Sequence, residues 1–133
     1  MRSEDADVTT HILMVDDESD AQDLFRQNFR REIRKGSYSF DFARSGPEAL
    51  EVIKAKAPVV VLSDINMPGM SGIELLSELR TEWPELPVMM ISAYGDAETE
   101  AKVRALGAAR LMTKPLDFCT LKGVLGQIVG DAV

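Results

Sequence analysis

Apolar residues follow two alternating patterns along the chain. Short runs at residues 11–15, 38–43, 59–62, 88–91 and 109–112 are continuous or alternate with period two, and between them apolar positions recur at three- and four-residue spacing. The first pattern predicts strands and the second predicts helices with one buried face. Val59-Val60-Val61-Leu62 is β-branched, uninterrupted, too short for a helix, and bounded by Pro58 and by Pro68-Gly69. A strand apolar on both faces belongs in the middle of a parallel sheet. Tyr38, Phe40 and Phe42 instead alternate with Ser39 and Asp41, as on an edge strand with one wet face.

Ala21, Leu24, Phe25, Asn28, Phe29 and Ile33 mark a first helix running to about Arg34, with Ser19 or Asp20 as its N-cap. A second opens at Ser45-Gly46-Pro47-Glu48 and turns Ala49, Leu50 and Ile53 inward. A third follows Ser71-Gly72, with Ile73, Leu76 and Leu79 inward, and ends at Trp83-Pro84. The fourth, over 96–106, has a face made mostly of Ala97, Ala101 and Ala105, so it is expected to be held loosely. The last carries Phe118, Leu121, Leu125, Ile128 and Val129 and is expected to be interrupted at Gly123 and Gly126. Five strand–helix alternations with short connections imply right-handed crossovers and a parallel sheet covered on both faces, an α/β domain with five helices. Residues 1–10 are polar and acidic without periodicity, a flexible leader to a domain over 11–130.

Composition narrows the function classes. A chain of 133 residues is one domain long. Its net charge of −7 argues against gripping a nucleic-acid backbone. No apolar run approaches the roughly 20 residues that span a bilayer, and the amino terminus lacks a signal-peptide core, so a cytoplasmic protein away from membranes is expected. The only cysteine, Cys119, excludes a disulfide framework and is assigned to packing. The only histidine, His11, opens the first strand at its amino end, which suits a structural role.

The chemistry gathers at the carboxyl ends of the strands, where ligands bind in open α/β sheets. Those ends carry Asp16 and Asp17, Asp64, Ser92 and Lys114. Singly these residues read as a capping pair, a strand-ending Asp, a turn serine and a solvated lysine; at one rim they make a constellation. Clustered carboxylates repel one another unless a cation sits among them, and Mg²⁺ favours hard oxygen ligands. A carboxylate beside it can attack phosphorus to give an aspartyl phosphate, with an ammonium and a hydroxyl as donors to the phosphoryl oxygens. The set suits phosphoryl transfer to Asp64. It lacks a separate general base or second nucleophile for turning over a small molecule, so the domain is not expected to be an enzyme.

The sequence resembles the receiver domain of two-component response regulators from about residue 10 to 129. The resemblance rests on Val15-Asp16-Asp17-Glu18, Ser63-Asp64-Ile65-Asn66-Met67-Pro68-Gly69-Met70-Ser71-Gly72, Ile91-Ser92-Ala93 and Thr113-Lys114-Pro115. It implies a flavodoxin-like, doubly wound five-stranded sheet of order 2-1-3-4-5. It implies that Asp64 accepts phosphate from the phosphohistidine of a histidine kinase or phosphotransfer protein. Mg²⁺ would be held by Asp17, Asp64 and the backbone carbonyl of Asn66, with Asp16 acting through water. Lys114 would pair with the phosphoryl group and Ser92 would move to bond it. Output would pass through the fourth helix, fifth strand and fifth helix to a homodimer or a downstream output domain. One departure stands out: the family's switch aromatic, three residues before the lysine, is Leu111 here, and Tyr94, two beyond Ser92, is a candidate substitute.

Two other readings remain. A phosphatase of the haloacid-dehalogenase class would need an acid/base Asp two residues after its nucleophile, where this chain has Asn66. A receiver-like module could bind partners without being phosphorylated.

Overall fold

The computed structural model describes residues 9–93 and 96–132. Residues 1–8 of the expected leader, and Tyr94, lie outside these. Strands β1 (Thr10–Val15), β2 (Tyr38–Ala43), β3 (Val60–Asp64), β4 (Val88–Ser92) and β5 (Arg110–Thr113) form one parallel sheet in the order β2-β1-β3-β4-β5. The expected order therefore holds, with the doubly apolar run at the centre and the aromatic alternating run at an edge. The helices are α1 (Ser19–Asn28), α2 (Arg30–Lys35), α3 (Gly46–Ala55), α4 (Gly72–Glu82), α5 (Ala97–Ala105) and α6 (Phe118–Ala132).

Among the described residues six helices replace the five expected because the first is divided at Phe29, with φ −104° and ψ 16°. Phe29 still donates to the Phe25 carbonyl at 2.9 Å and accepts from Ile33 N–H at 2.9 Å, so the division is a kink. Next to it the Asn28 side-chain amide donates to the Leu24 carbonyl at 2.8 Å, competing with the backbone for that oxygen. The kink is fixed by packing: Phe29 is fully buried and meets the rings of Phe25, Phe40 and Phe118.

Alternation along the strands supplies two cores. Leu13, Val15, Val61, Val88 and Met90 meet α3, α4 and α5 on one face, while Ile12, Met14, Val60, Leu62, Met89 and Ile91 meet Phe25, Phe29 and Leu121, Val124 and Leu125 of α6 on the other. A fully buried large apolar side chain is worth about 1.5–3 kcal/mol. On that scale α4, with Leu75, Leu76 and Leu79 buried, is held far more tightly than α5, whose only buried residue is Val103.

Several inward assignments need correcting. In α5 the alanines at 97, 101 and 105 are exposed and Val103 faces the core, so the helix is as weakly held as expected but by a different residue. Leu75, which the helical spacing left out, is buried, and Ile73 is only half-buried. Leu24 and Ile33 are 48% and 38% exposed, because Phe25 and Phe29 take the sheet-facing direction and leave them to the side. Cys119 is exposed at the first turn of α6 rather than packed. That helix runs through Gly123 and Gly126 without a break, since both lie on its exposed side. The N-cap of α1 is Glu18, with no side-chain cap.

Elsewhere the helix starts follow their capping chemistry. Ser45 accepts from Glu48 N–H at 3.2 Å, and Ser71 and Glu74 form a reciprocal capping box. Asp96 accepts from Thr99 N–H at 2.6 Å, and Asp117 accepts from Cys119 and Thr120 N–H at 3.0 and 3.2 Å. The backbone hydrogen bonds from Thr99 and Thr120 hold these two carboxyls below their usual range. A depressed folded-state value stabilises the fold above the unfolded-state value, and that contribution fades as pH falls through the folded one. The amide shifts of Thr99 and Thr120 should therefore titrate with midpoints below the ~3.9 of a free Asp, and midpoints at or above it would contradict the capping.

Candidate functional site

Parallel strands in register deliver their last residues to one rim. Val15 lies beside Ser63, Asp64 beside Ile91, and Ser92 beside Thr113. Asp16, Asp64, Ser92 and Lys114 therefore emerge together although the first and last are far apart in sequence. Asp16 and Asp64 are 2% and 4% exposed, and Ser92 is equally buried.

Lys114 Nζ lies 2.8 Å from Asp64 Oδ2 and 3.6 Å from Asp16 Oδ2. The other Asp64 oxygen accepts from Asn66 N–H at 3.1 Å, and Asp16 Oδ1 accepts from Glu18 N–H at 2.9 Å. The Lys114 N–H donates to the Ser92 carbonyl at 2.8 Å, so the ends of β4 and β5 are tied by backbone at the site itself. The Lys114–Pro115 peptide bond is cis. Asn66 is exposed at the mouth, and Asp17 is half-buried with its carbonyl 3.5 Å from Arg44 Nη2.

Glycine lets the site loop close. The Gly72 N–H donates to the Ile65 carbonyl at 2.8 Å, and a Cβ on Gly72 would overlap the Asp64 carbonyl oxygen and sit 2.7 Å from Ile65 Cα. The first turn of α4 thus rests directly on the backbone that carries Asp64.

Burial pushes the Asp16 carboxyl above its usual range, against the Glu18 N–H and the Lys114 ammonium that pull it down, and the Asp64 charge adds to the rise. Burial alone would lower Lys114; the hydrogen bond to Asp64 and the charges of Asp16 and Asp64 outweigh it and hold the ammonium above its ordinary value. One carboxylate oxygen from each of Asp16, Asp17, Glu18 and Asp64 can be chosen within 4.8 Å of the others. A single ammonium cannot neutralise four carboxylates, and an all-oxygen cluster suits a hard divalent ion such as Mg²⁺. The residues present therefore fit the metal the sequence pointed to. Glu18 is the addition; its place directly after the Asp-Asp pair was the only signal available.

Of the remaining predicted residues, Leu111 is half-buried and packs against the α3–α4–α5 core. His11 lies at the far, amino end of β1, away from the carboxylates, with its Nδ1 buried and without a hydrogen-bond partner among the described residues. Beside the acidic rim runs a groove of about 520 Å³, lined by Ala21, Leu24, Phe25, Pro115 and Phe118 and reaching Asp16 and Lys114.

Comparison with known proteins agrees with this geometry. Residues 12–125 match the response regulator receiver domain family. The response regulator FleR of Pseudomonas aeruginosa is 33% identical over 125 residues, covering 90% of this chain and 26% of FleR. The DNA-binding transcriptional regulator NtrC of Escherichia coli is 33% identical over 107 residues, covering 80% of this chain and 22% of NtrC. The chain thus spans about a quarter of the length of the curated relatives it matches. The receiver domain of NtrX from Brucella abortus superposes with a TM-score of 0.80 at 34% identity, covering 90% of this chain and 98% of that one. TrrA from Thermotoga maritima, solved with Mg²⁺ and BeF, gives a TM-score of 0.77 at 28% identity over 90% of this chain and 98% of its own. With its acidic rim, its lysine and its sheet order, the chain belongs to the response regulator receiver domain family, the phosphoacceptor domain of two-component signalling.

Proposed function

We propose that Asp64 takes the phosphoryl group, from the phosphohistidine of a histidine kinase or phosphotransfer protein, and that the domain over 11–130 then changes the surface it offers to a partner. The observation that carries this is Lys114 Nζ at 2.8 Å from Asp64 Oδ2 and 3.6 Å from Asp16 Oδ2, a cation set where phosphoryl oxygens would lie. An Asp64 carboxylate oxygen attacks phosphorus, the P–N bond breaks, and its electron pair leaves with the imidazole. Asp17, Asp64 and the Asn66 carbonyl, with Asp16 acting through water, would hold Mg²⁺, which would supply positive charge to the phosphoryl oxygens. Lys114 adds a second positive charge, and the Ser92 hydroxyl donates to a phosphoryl oxygen. The reading places the domain in the cytoplasm, acting as a phosphoacceptor and not as an enzyme on small molecules.

Acetyl phosphate, as a small donor, tests the chemistry without a kinase. A Mg²⁺-dependent label on the peptide bearing Asp64 is the expected result. A label elsewhere, or none, overturns the assignment, and sustained hydrolysis of phosphate esters would favour a phosphatase.

A phosphohistidine must be presented by another protein, and the groove ending at Asp16 and Lys114, with Leu24 exposed on its wall, fits an apolar helix face. Leu24→Glu should slow transfer from a phosphorylated histidine-bearing partner at least tenfold while leaving acetyl phosphate labelling unchanged. Equal loss with both donors would show a damaged site instead of a docking surface.

Output is assigned to α5, β5 and α6. The Lys114 N–H to Ser92 carbonyl bond joins the two loops a phosphoryl group would pull, and α5 next to them has one buried residue. A beryllofluoride adduct should shift amides between residues 92 and 121; an unchanged spectrum there would remove this surface from the proposal.

A further inference from the structure

The chain is acidic overall, yet five of its 15 cations fall within ten residues, Arg26, Arg30, Arg31, Arg34 and Lys35, with Glu32 the only acid among them. The Glu32 carboxylate is turned to Lys122 at 3.1 Å. Arg26, Arg30 and Arg34, at helical spacing along α1 and α2, line a groove of about 530 Å³ whose other wall is Tyr38, Phe40 and Phe42 of β2. Arg26 stacks 4.6 Å over the Phe42 ring and lies 4.0 Å from the exposed Asp23. Among the described residues neither Arg30 nor Arg34 has a carboxylate partner.

Among the described residues β2 is an edge strand, paired only with β1. The Ser37 and Ala43 carbonyls accept from Thr10 and Asp16 N–H. By the alternation of a parallel ladder, the N–H and C=O groups of Tyr38, Phe40 and Phe42 then point away from the sheet. An exposed edge is a template for an added strand. Here that edge runs beside a row of arginines on the side opposite β4 and β5, away from the proposed output surface.

We propose that this groove binds an acidic peptide segment in extended form, which adds a strand to β2 and sets its carboxylates against Arg26, Arg30 and Arg34. Two observations favour a peptide over nucleic acid. An extended peptide offers alternating donors and acceptors in register with the outward groups of Tyr38, Phe40 and Phe42, which a sugar–phosphate backbone does not. A net charge of −7 repels a long polyanion beyond the groove, whereas a short segment stays within the ~10 Å over which the arginines dominate at ordinary salt.

The test uses the whole chain with three fluorescent probes: a peptide alternating valine and glutamate, its valine–lysine counterpart, and oligo-dT. The glutamate peptide should bind and protect the Tyr38, Phe40 and Phe42 amides from exchange. The lysine peptide should bind at least tenfold more weakly, and binding should be lost at about 1 M salt, where the Debye length is about 3 Å. Arg30→Glu with Arg34→Glu should weaken it at least tenfold, while Asp64→Asn leaves it unchanged, which separates this site from the phosphoacceptor. If the double variant fails to fold, exchange protection in the natural chain decides alone. Oligo-dT binding as tightly without protecting β2, equal binding of both peptides, or no protection at Tyr38, Phe40 and Phe42 overturns the proposal.

Discussion

Asp64→Asn abolishes labelling by acetyl phosphate and leaves the domain folded. The amide offers no anionic oxygen to attack phosphorus, so incorporation should fall by at least about a thousandfold, equivalent to roughly 4 kcal/mol of barrier at 1.36 kcal/mol per tenfold. The fold should survive because Asn keeps the shape of Asp and can still accept from Asn66 N–H, 3.1 Å away in the native chain. It also removes one of the clustered charges: the Asp64 charge contributes to the raised Asp16 carboxyl, and without it the Lys114 ammonium still faces Asp16 at 3.6 Å and the charge of Glu18. The melting temperature should therefore stay level or rise. Mass spectrometry and a thermal melt on one preparation check both halves. Persistent labelling would disprove Asp64 as acceptor, and a collapsed melting temperature would disprove the account of charge crowding.

Gly72→Ala should unfold the domain more readily than any single exposed change. A Cβ there meets main-chain atoms of Asp64 and Ile65, which cannot rotate aside as a side chain can. α4 has three buried leucines resisting displacement. Overpacking of this kind costs about 1–3 kcal/mol, and the cost falls on the loop that aims Asp64. Chemical denaturation should show the loss of stability, and acetyl phosphate labelling should fall with it even at temperatures where the variant is folded. A variant as stable as the natural chain would mean that α4 can slide away from the loop.

The sheet was legible because its strands are bounded apolar runs whose ends carry the site chemistry. A parallel order then places Asp16, Asp64, Ser92 and Lys114 at one rim without any knowledge of side-chain geometry. What stayed hidden depends on direction and not on composition. Helical spacing marked Leu24 and Ile33 as inward, but it cannot say that Phe25 and Phe29 would take the sheet and leave them exposed. The kink at Phe29 arises from one side-chain amide competing for a carbonyl and from aromatic packing across the fold, neither of which has a local signature. Val103 was hidden behind the alanines of α5 because three small residues outnumber one that packs. The glycines of α6 looked like breaks because propensity ignores a helix already anchored by Leu121 and Leu125. The arginine row was masked by a net charge of the opposite sign, which averages over the surface a partner would meet piecewise.

The anchoring of α5 has an energetic corollary. In the proposed switch, moving that helix disturbs one buried side chain of its own, Val103, so a small free energy is enough to shift it. A charge-assisted hydrogen bond contributes about 1.5–3 kcal/mol, enough to change the ratio of two arrangements of the helix by roughly ten- to a hundredfold. A single new contact at the rim would then invert the populations, and shortening Val103 to alanine would loosen the helix before any signal arrives.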